Sequence, residues 1–179
     1  VAYWRRWVKH TRVPREYQRE VVRSALVLKL HQYEDTGAII AATTTSIPEY
    51  PGSGRNWDYR YCWLRDTYFS LYAFERLGHF DEMEAFLGYL RTLVHRFGES
   101  RLQPLYAING GDQVTECILD HLEGFADEGP VRIGNQAAEH VQNDVYGEMI
   151  LAISRLLLDI RFVGVEGRDG VLDTIRRLL

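Results

Sequence analysis

The stretch WLRDTYFSLYAFERLGHFDEMEAFLGYLRTLV, Trp63 to Val94, decides the fold. From about Trp63 to Leu77 it reads as a helix, and Gly78 stands where a left-handed C-terminal cap would end one. Asp81 with Glu84 three residues later makes a capping box. Met83, Phe86, Leu87, Leu90, Leu93 and Val94 then mark one face of a following helix, which Gly98 closes. A connection as short as Gly78-His79-Phe80 forces the two helices nearly antiparallel. The product is an αα-hairpin, the unit from which bundles, solenoids and helical barrels are built.

Working outward, the rest of the chain is also predominantly helical. Pro14 sits where a helix can begin, and Val22, Ala25, Leu26 and Lys29 follow at helical spacing, predicting a helix from about Arg15 to Gln32. Gly37 ends that region. The segment from Ala38 to Gly54 starts as a short β-prone apolar run and becomes a Thr/Ser/Pro/Gly loop, long enough to serve as a functional surface. Beyond the hairpin, Gln113 to His121 is expected to be partly helical, and Gly129 to Asn135 to form a turn. Val141, Val145, Met149, Ile153, Leu156 and Leu157 predict one long helix from about Ala137 to Asp159. Gly164, Gly167 and Gly170 are expected to separate it from a last helix ending in VLDTIRRLL. The opening without Met and that abrupt close read as an internal fragment.

Composition narrows the function. The 179 residues are 46 % hydrophobic, enough to bury a core. A formal charge of -4 with scattered basic residues offers no stripe to neutralise phosphates, so nucleic acid is not an expected partner. No apolar run reaches the roughly 18 to 20 residues that span a bilayer, and the first residues lack the apolar core of a signal peptide. A cytoplasmic protein without membrane partner is the expectation. Cys62 and Cys117 fall in no ligand spacing, the six histidines form no HExxH pattern, and both thiols are expected free and buried. No cofactor or metal is expected.

Just ahead of the hairpin lies RNWDYRYCWLRD, Arg55 to Asp66. Its aromatic residues Trp57, Tyr59, Tyr61 and Trp63 alternate with charged ones. Flat apolar faces stack on the C–H faces of a sugar, while arginine donors and aspartate acceptors suit its hydroxyls. Arg65 and Asp66, adjacent, can hold neighbouring hydroxyls together. The competing structural account makes them a buried ion pair between helices and the aromatics ordinary core.

The same run resembles the Tyr-x-Tyr-x-Trp-x-Arg-Asp element of glycoside hydrolase family 15, the glucoamylase-like and trehalase-like glucosidases. RSALVLKL (Arg23 to Leu30), TGAIIAATTTSIPE (Thr36 to Glu49), LQPLYAINGG (Leu102 to Gly111) and PVRIGNQAAEHVQNDVYGE (Pro130 to Glu148) look like further blocks of bacterial members, in that family's order. The resemblance implies an all-α fold, the N-terminal part of an (α/α)6 barrel of which residues 1–179 supply only the first several helices. It also implies hydrolysis of α-linked glucose from a non-reducing end with inversion.

By the same resemblance Arg65 and Asp66 grip the terminal glucose, and Tyr59 and Trp63 line that subsite; Trp57 is a further candidate for substrate binding. Gln142 and Asp144, in a Gln-Asn-Asp element, approach the pocket, the alternative for Asn143 and Asp144 being a helix N-cap. Glu148 is either a pocket carboxylate or an inter-helix contact. Asp58 and Arg60 organise the motif from behind, and His140 stands where many relatives have Gln. The family's two catalytic glutamates have no counterpart here, so no general acid or base is assigned. The substrate implied is an α-glucoside or oligosaccharide, linkage open, and the remaining partners are the rest of the barrel and another copy of the chain. A non-catalytic carbohydrate-binding fragment and a ligand-free helical scaffold are the alternatives.

Overall fold

A computed structural model describes residues 1–97, 100–159 and 165–179. The hairpin is present: α3 spans Leu64–Leu77 and α4 spans Phe80–Phe97. Between them Gly78 adopts φ 84°, where a side chain would be strained, and its N–H and that of His79 close on the carbonyls of Glu75 and Phe74. The second helix starts at Phe80, so Asp81 lies in its first turn rather than capping it. Its expected closing residue, Gly98, lies outside the described residues.

The buried face of α4 is the predicted one, Met83, Phe86, Leu87, Leu90, Leu93 and Val94. It meets Leu71 and Phe74 of α3, Met149, Ile153 and Leu156 of α5 (Asp144–Leu158), and Val171 and Leu178 of α6 (Val165–Leu178) in one cluster. Helix α3 packs on α4 and α5, while α6 packs on the same two. Helix α2 (Gln18–His31) leans on α3, and α1 (Ala2–Lys9), which no sequence signal announced, docks through Trp7. The all-α expectation therefore holds: six helices among the described residues, with only two ladders of two-residue strands, a composition consistent with an incomplete part of a helical barrel.

Five expectations are corrected. The first predicted helix begins at Gln18 rather than Arg15. Residues 113–121 hold no helix: β3 (Cys117–Ile118) pairs antiparallel with β4 (Arg132–Ile133) inside the expected turn, and Asp120 and His121 turn beyond it. Val114, Thr115 and Ile118 are β-branched, and strand pairing outweighs a weak helical pattern. The long helix from Ala137 is broken: a 3-10 turn spans Gln136–Glu139, started by the Asn135 side chain accepting from Ala137 N at 2.9 Å, and His140 turns extended before α5 begins at Asp144. Val141, read as core, is exposed as a result. Finally Gly167 and Gly170 sit inside α6 rather than before it, Gly170 leaving room for the Arg91 guanidinium, and Gly164 is outside the described residues. Cys62 is buried and free as expected, but Cys117 is exposed.

Two further features position the site. Strands β1 (Cys62–Trp63) and β2 (Leu105–Tyr106) pair with Cys62 opposite Tyr106 and Trp63 opposite Leu105. Cys62 and Tyr106 join the helix core; Trp63 and Leu105 join a second cluster with Val114. Residues 41–46 run back along 57–61, with Ala41 N on Tyr61 O, Ala42 N on Tyr59 O and Ser46 N on Trp57 O.

Candidate carbohydrate-binding site

In the extended backbone from 56 to 63, successive side chains point to opposite faces. Asn56, Asp58 and Cys62 are buried on one side, and Trp57, Tyr59 and Trp63 line a cavity of about 300 Å³ on the other. The usual alternation is inverted, with aromatic rings facing the cavity and a carboxylate buried. That burial is satisfied. Asp58 accepts from Arg60 Nε (2.9 Å) and Nη2 (2.8 Å) and from the N–H groups of Arg60 and Gly134, while its carbonyl accepts from Asn135 Nδ2. The ion pair holds the Arg60 guanidinium above its usual range, chiefly through that hydrogen bond. Gly134 carries φ 76°, and a Cβ there would run into the Thr115 carbonyl, so this junction requires glycine.

Tyr59 and Trp63 have ring centroids 5.8 Å apart and tilted, and the Tyr59 hydroxyl donates to Glu49 at 3.4 Å. Partial burial, then Glu49, raises the Tyr59 pKa, so the phenol stays neutral. Arg65, in the first turn of α3, enters the same cavity beside Gln142. Its Nη1 donates to Gln142 Oε1 at 2.7 Å, and Asp144 Oδ2 lies 3.8 Å from the same nitrogen. Asp66 Oδ2 is 3.9 Å from Arg65 Nε. The Arg65 and Asp66 side chains are 40 % and 49 % exposed, so this is not a buried inter-helix ion pair. Their donors and acceptors face solvent, where a ligand can take them.

The structure thus gathers Trp57, Tyr59, Trp63, Arg65 and Gln142 around one cavity. Asp66 and Asp144 flank Arg65 but are not among the residues lining it; Asp66 instead lines a neighbouring hollow of about 310 Å³ between α2 and α3. Asn143 precedes α5 without a side-chain cap bond. Glu148 lies one turn beyond Asp144, with Oε2 buried and lacking a hydrogen-bond partner. Burial first, then Asp144, pushes its pKa up.

Glu116, Gln136 and His140 also line the cavity. His140 was singled out in the sequence; Glu116 and Gln136 were not. The signal that could have found them is the β-branched alternation from Val114 to Ile118, which brings Glu116 beside the PVRIGN block. Among the described residues no group of three or more His, Cys, Asp and Glu is arranged to hold a metal ion.

Chemically the cavity can stack a ring and offer donors and acceptors to hydroxyls, a polyol-binding arrangement within a helical scaffold. The profile of glycosyl hydrolases family 15 matches residues 15–167, and the chain belongs to that family. It is 41 % identical over 151 residues to a trehalase of Thermoplasma acidophilum, covering 84 % of this chain and 26 % of that protein. It is 39 % identical over 150 residues to a trehalase of Mycobacterium tuberculosis, covering 82 % and 22 %, and 39 % identical over 175 residues to one of Mycolicibacterium smegmatis, covering 96 % and 25 %. The chain spans about a quarter of the length of these relatives. No solved structure gives a significant match.

Proposed function

We propose that residues 1–179 form the N-terminal part of the catalytic domain of an inverting α-glucosidase and bind the terminal glucose of its substrate. The observation that carries this reading is Arg65. It is fixed by Gln142 at 2.7 Å, stays 40 % exposed, and stands at the open cavity that Trp57, Tyr59 and Trp63 wall. A scaffold has no use for an arginine preorganised toward solvent beside three aromatic faces, whereas a sugar pocket needs both.

Asp66 and Asp144 supply acceptors on either side of Arg65, suited to hydroxyls of the same ring. Trehalose is the favoured substrate, since the similar proteins named above are trehalases. Inversion requires a protonated carboxyl and a second carboxylate about 6.5 to 9.5 Å away to activate water. Both are proposed to come from the further sequence that a polypeptide of the relatives' length would carry.

The test uses the full-length polypeptide with trehalose and maltose, following the first-formed sugar by proton NMR. With trehalose, inversion releases β-glucose from the attacked residue and an equal amount of α-glucose as the leaving residue, and this initial one-to-one ratio supports the assignment. Initial release of α-glucose alone would refute inversion, and no protein-dependent hydrolysis of any α-glucoside would refute the activity.

A further inference from the structure

Trp57 and Glu116 are held in the cavity lining differently from Arg65 and Gln142. Arg65 and Gln142 belong to the α3–α5 side, whereas Trp57 and Glu116 are fixed by one side chain of β4, Arg132. Its Nη1 donates to the carbonyl oxygens of Gly54 and Asn56, both at 3.2 Å. Its guanidinium carbon lies 4.7 Å from the centroid of the Trp57 ring, a cation–π arrangement. Its Nε sits 3.0 Å from Glu116 Oε1, in a pair whose side chains are only 14 % and 18 % exposed. The other Glu116 oxygen accepts from Gln136 N at 3.2 Å. The backbone of Arg132 is fixed as well: its N–H donates to Ser46 Oγ at 2.7 Å, and its carbonyl accepts from Thr45 Oγ1 at 2.7 Å.

Arg132 does not line the cavity, yet both groups it orients do. A tryptophan on a loop and a glutamate just ahead of a two-residue strand would each sample several rotamers. One planar cation, itself held at both ends, removes that freedom from both. Resting on the reading of the cavity as an α-glucoside site, we infer that Arg132 is a positioning residue. It sets the Trp57 ring and the Glu116 carboxylate as the wall that receives the second, leaving sugar, while Arg65 and Gln142 face the terminal glucose. An aromatic face with a fixed acceptor suits a neutral hexose ring and gives no purchase to a leaving group without one.

The experiment compares two substrates of the full-length polypeptide, trehalose and α-D-glucosyl fluoride, whose leaving group has no ring. Arg132→Lys keeps the charge but loses the plane and the fork. The ratio of kcat/KM for trehalose to that for the fluoride is expected to fall about 10- to 100-fold. Glu116→Gln, which leaves the cation–π stack in place, is expected to lower the same ratio to a smaller extent. It decides the matter if Arg132→Lys loses its cooperative thermal transition. An unchanged ratio overturns the inference, whether both activities persist or both fall together. Unmodified protein that hydrolyses neither substrate overturns the α-glucoside reading and this inference with it, and that outcome is distinct from an unchanged ratio.

Discussion

Asp66 is the residue at which a binding account and a stability account predict different things. Its carboxylate is about half exposed and 3.9 Å from Arg65, so the pair adds little to folding; exposed pairs contribute about 0–1 kcal/mol. If it accepts hydroxyls of the terminal glucose, Asp66→Asn removes the charge from one or two hydrogen bonds of about 1.5 to 3 kcal/mol each. The expected outcome in the full-length protein is a kcat/KM lowered roughly 10- to 1000-fold with a nearly unchanged melting temperature. A collapsed melting temperature with intact kcat/KM would remove Asp66 from the site. The motif's aromatic and charged residues were legible in the sequence because extended backbone alternates faces. What the alternation could not tell was which face is buried. Asp58 lies inside because Gly134 and Asn135, some seventy-five residues away, come up to meet it.

At the scale of elements, α1 and α2 meet the hairpin through a buried polar knot. Glu82 of α4 accepts from Trp7 Nε1 at 2.6 Å and pairs with Lys29 of α2 at 3.1 Å, the two side chains being 5 % and 10 % exposed. Lys29 also donates to Gln32, whose amide reaches the Glu82 carbonyl at 2.9 Å. Breaking such a pair leaves a buried charge, so Glu82→Ala should cost about 3 to 5 kcal/mol. Urea unfolding of the variant checks it, and a change under 1 kcal/mol would show that water already reaches the knot.

His79 closes that knot, stacked on Trp7 at 3.8 Å and hydrogen-bonded through Nε2 to Thr11 Oγ1 at 2.8 Å. Burial lowers its pKa from 6.5, outweighing the opposing effect of Glu82. The neutral ring is the folded form. Its stabilising contribution is complete above pH 6.5 and declines as pH falls below that value toward the lowered folded pKa. The melting temperature should therefore drop between pH 7.5 and 5.5, and less so in His79→Gln; equal slopes in both proteins would remove His79 as the cause.

Hairpin and core face were readable from periodicity and a glycine cap. Helix α1 was not, because Trp4, Trp7 and Val8 lie among basic residues with no cap signal. The break at His140 was not either, since an apolar pattern runs straight through it.

Across the whole molecule, large apolar side chains remain outside: Leu30 of α2, Phe69 of α3, and Leu151 and Leu158 of α5 are all more than half exposed. Faces of this kind call for a covering layer. The 179 residues by themselves are expected to self-associate or bind hydrophobic dyes, and to release no glucose from trehalose or maltose. Sedimentation, dye fluorescence and a glucose assay on the purified chain check these expectations. A monomer with a sharp thermal transition and no dye binding would mean the helices already cover one another. None of the described helices is both long and apolar enough to cross a membrane.

The short ladder of Cys62–Trp63 with Leu105–Tyr106 sends alternate residues to different clusters, Cys62 and Tyr106 to the helix core, Trp63 and Leu105 to the cavity side. It acts as a party wall between two rooms. Because the two clusters share no buried residue, paired substitutions well away from the ladder on its two sides should combine additively, whereas Cys62 and Trp63 stay coupled through the Thr67 hydroxyl that meets both. Such a partition gives the cavity-facing surface latitude to change while the helices beneath it keep their packing.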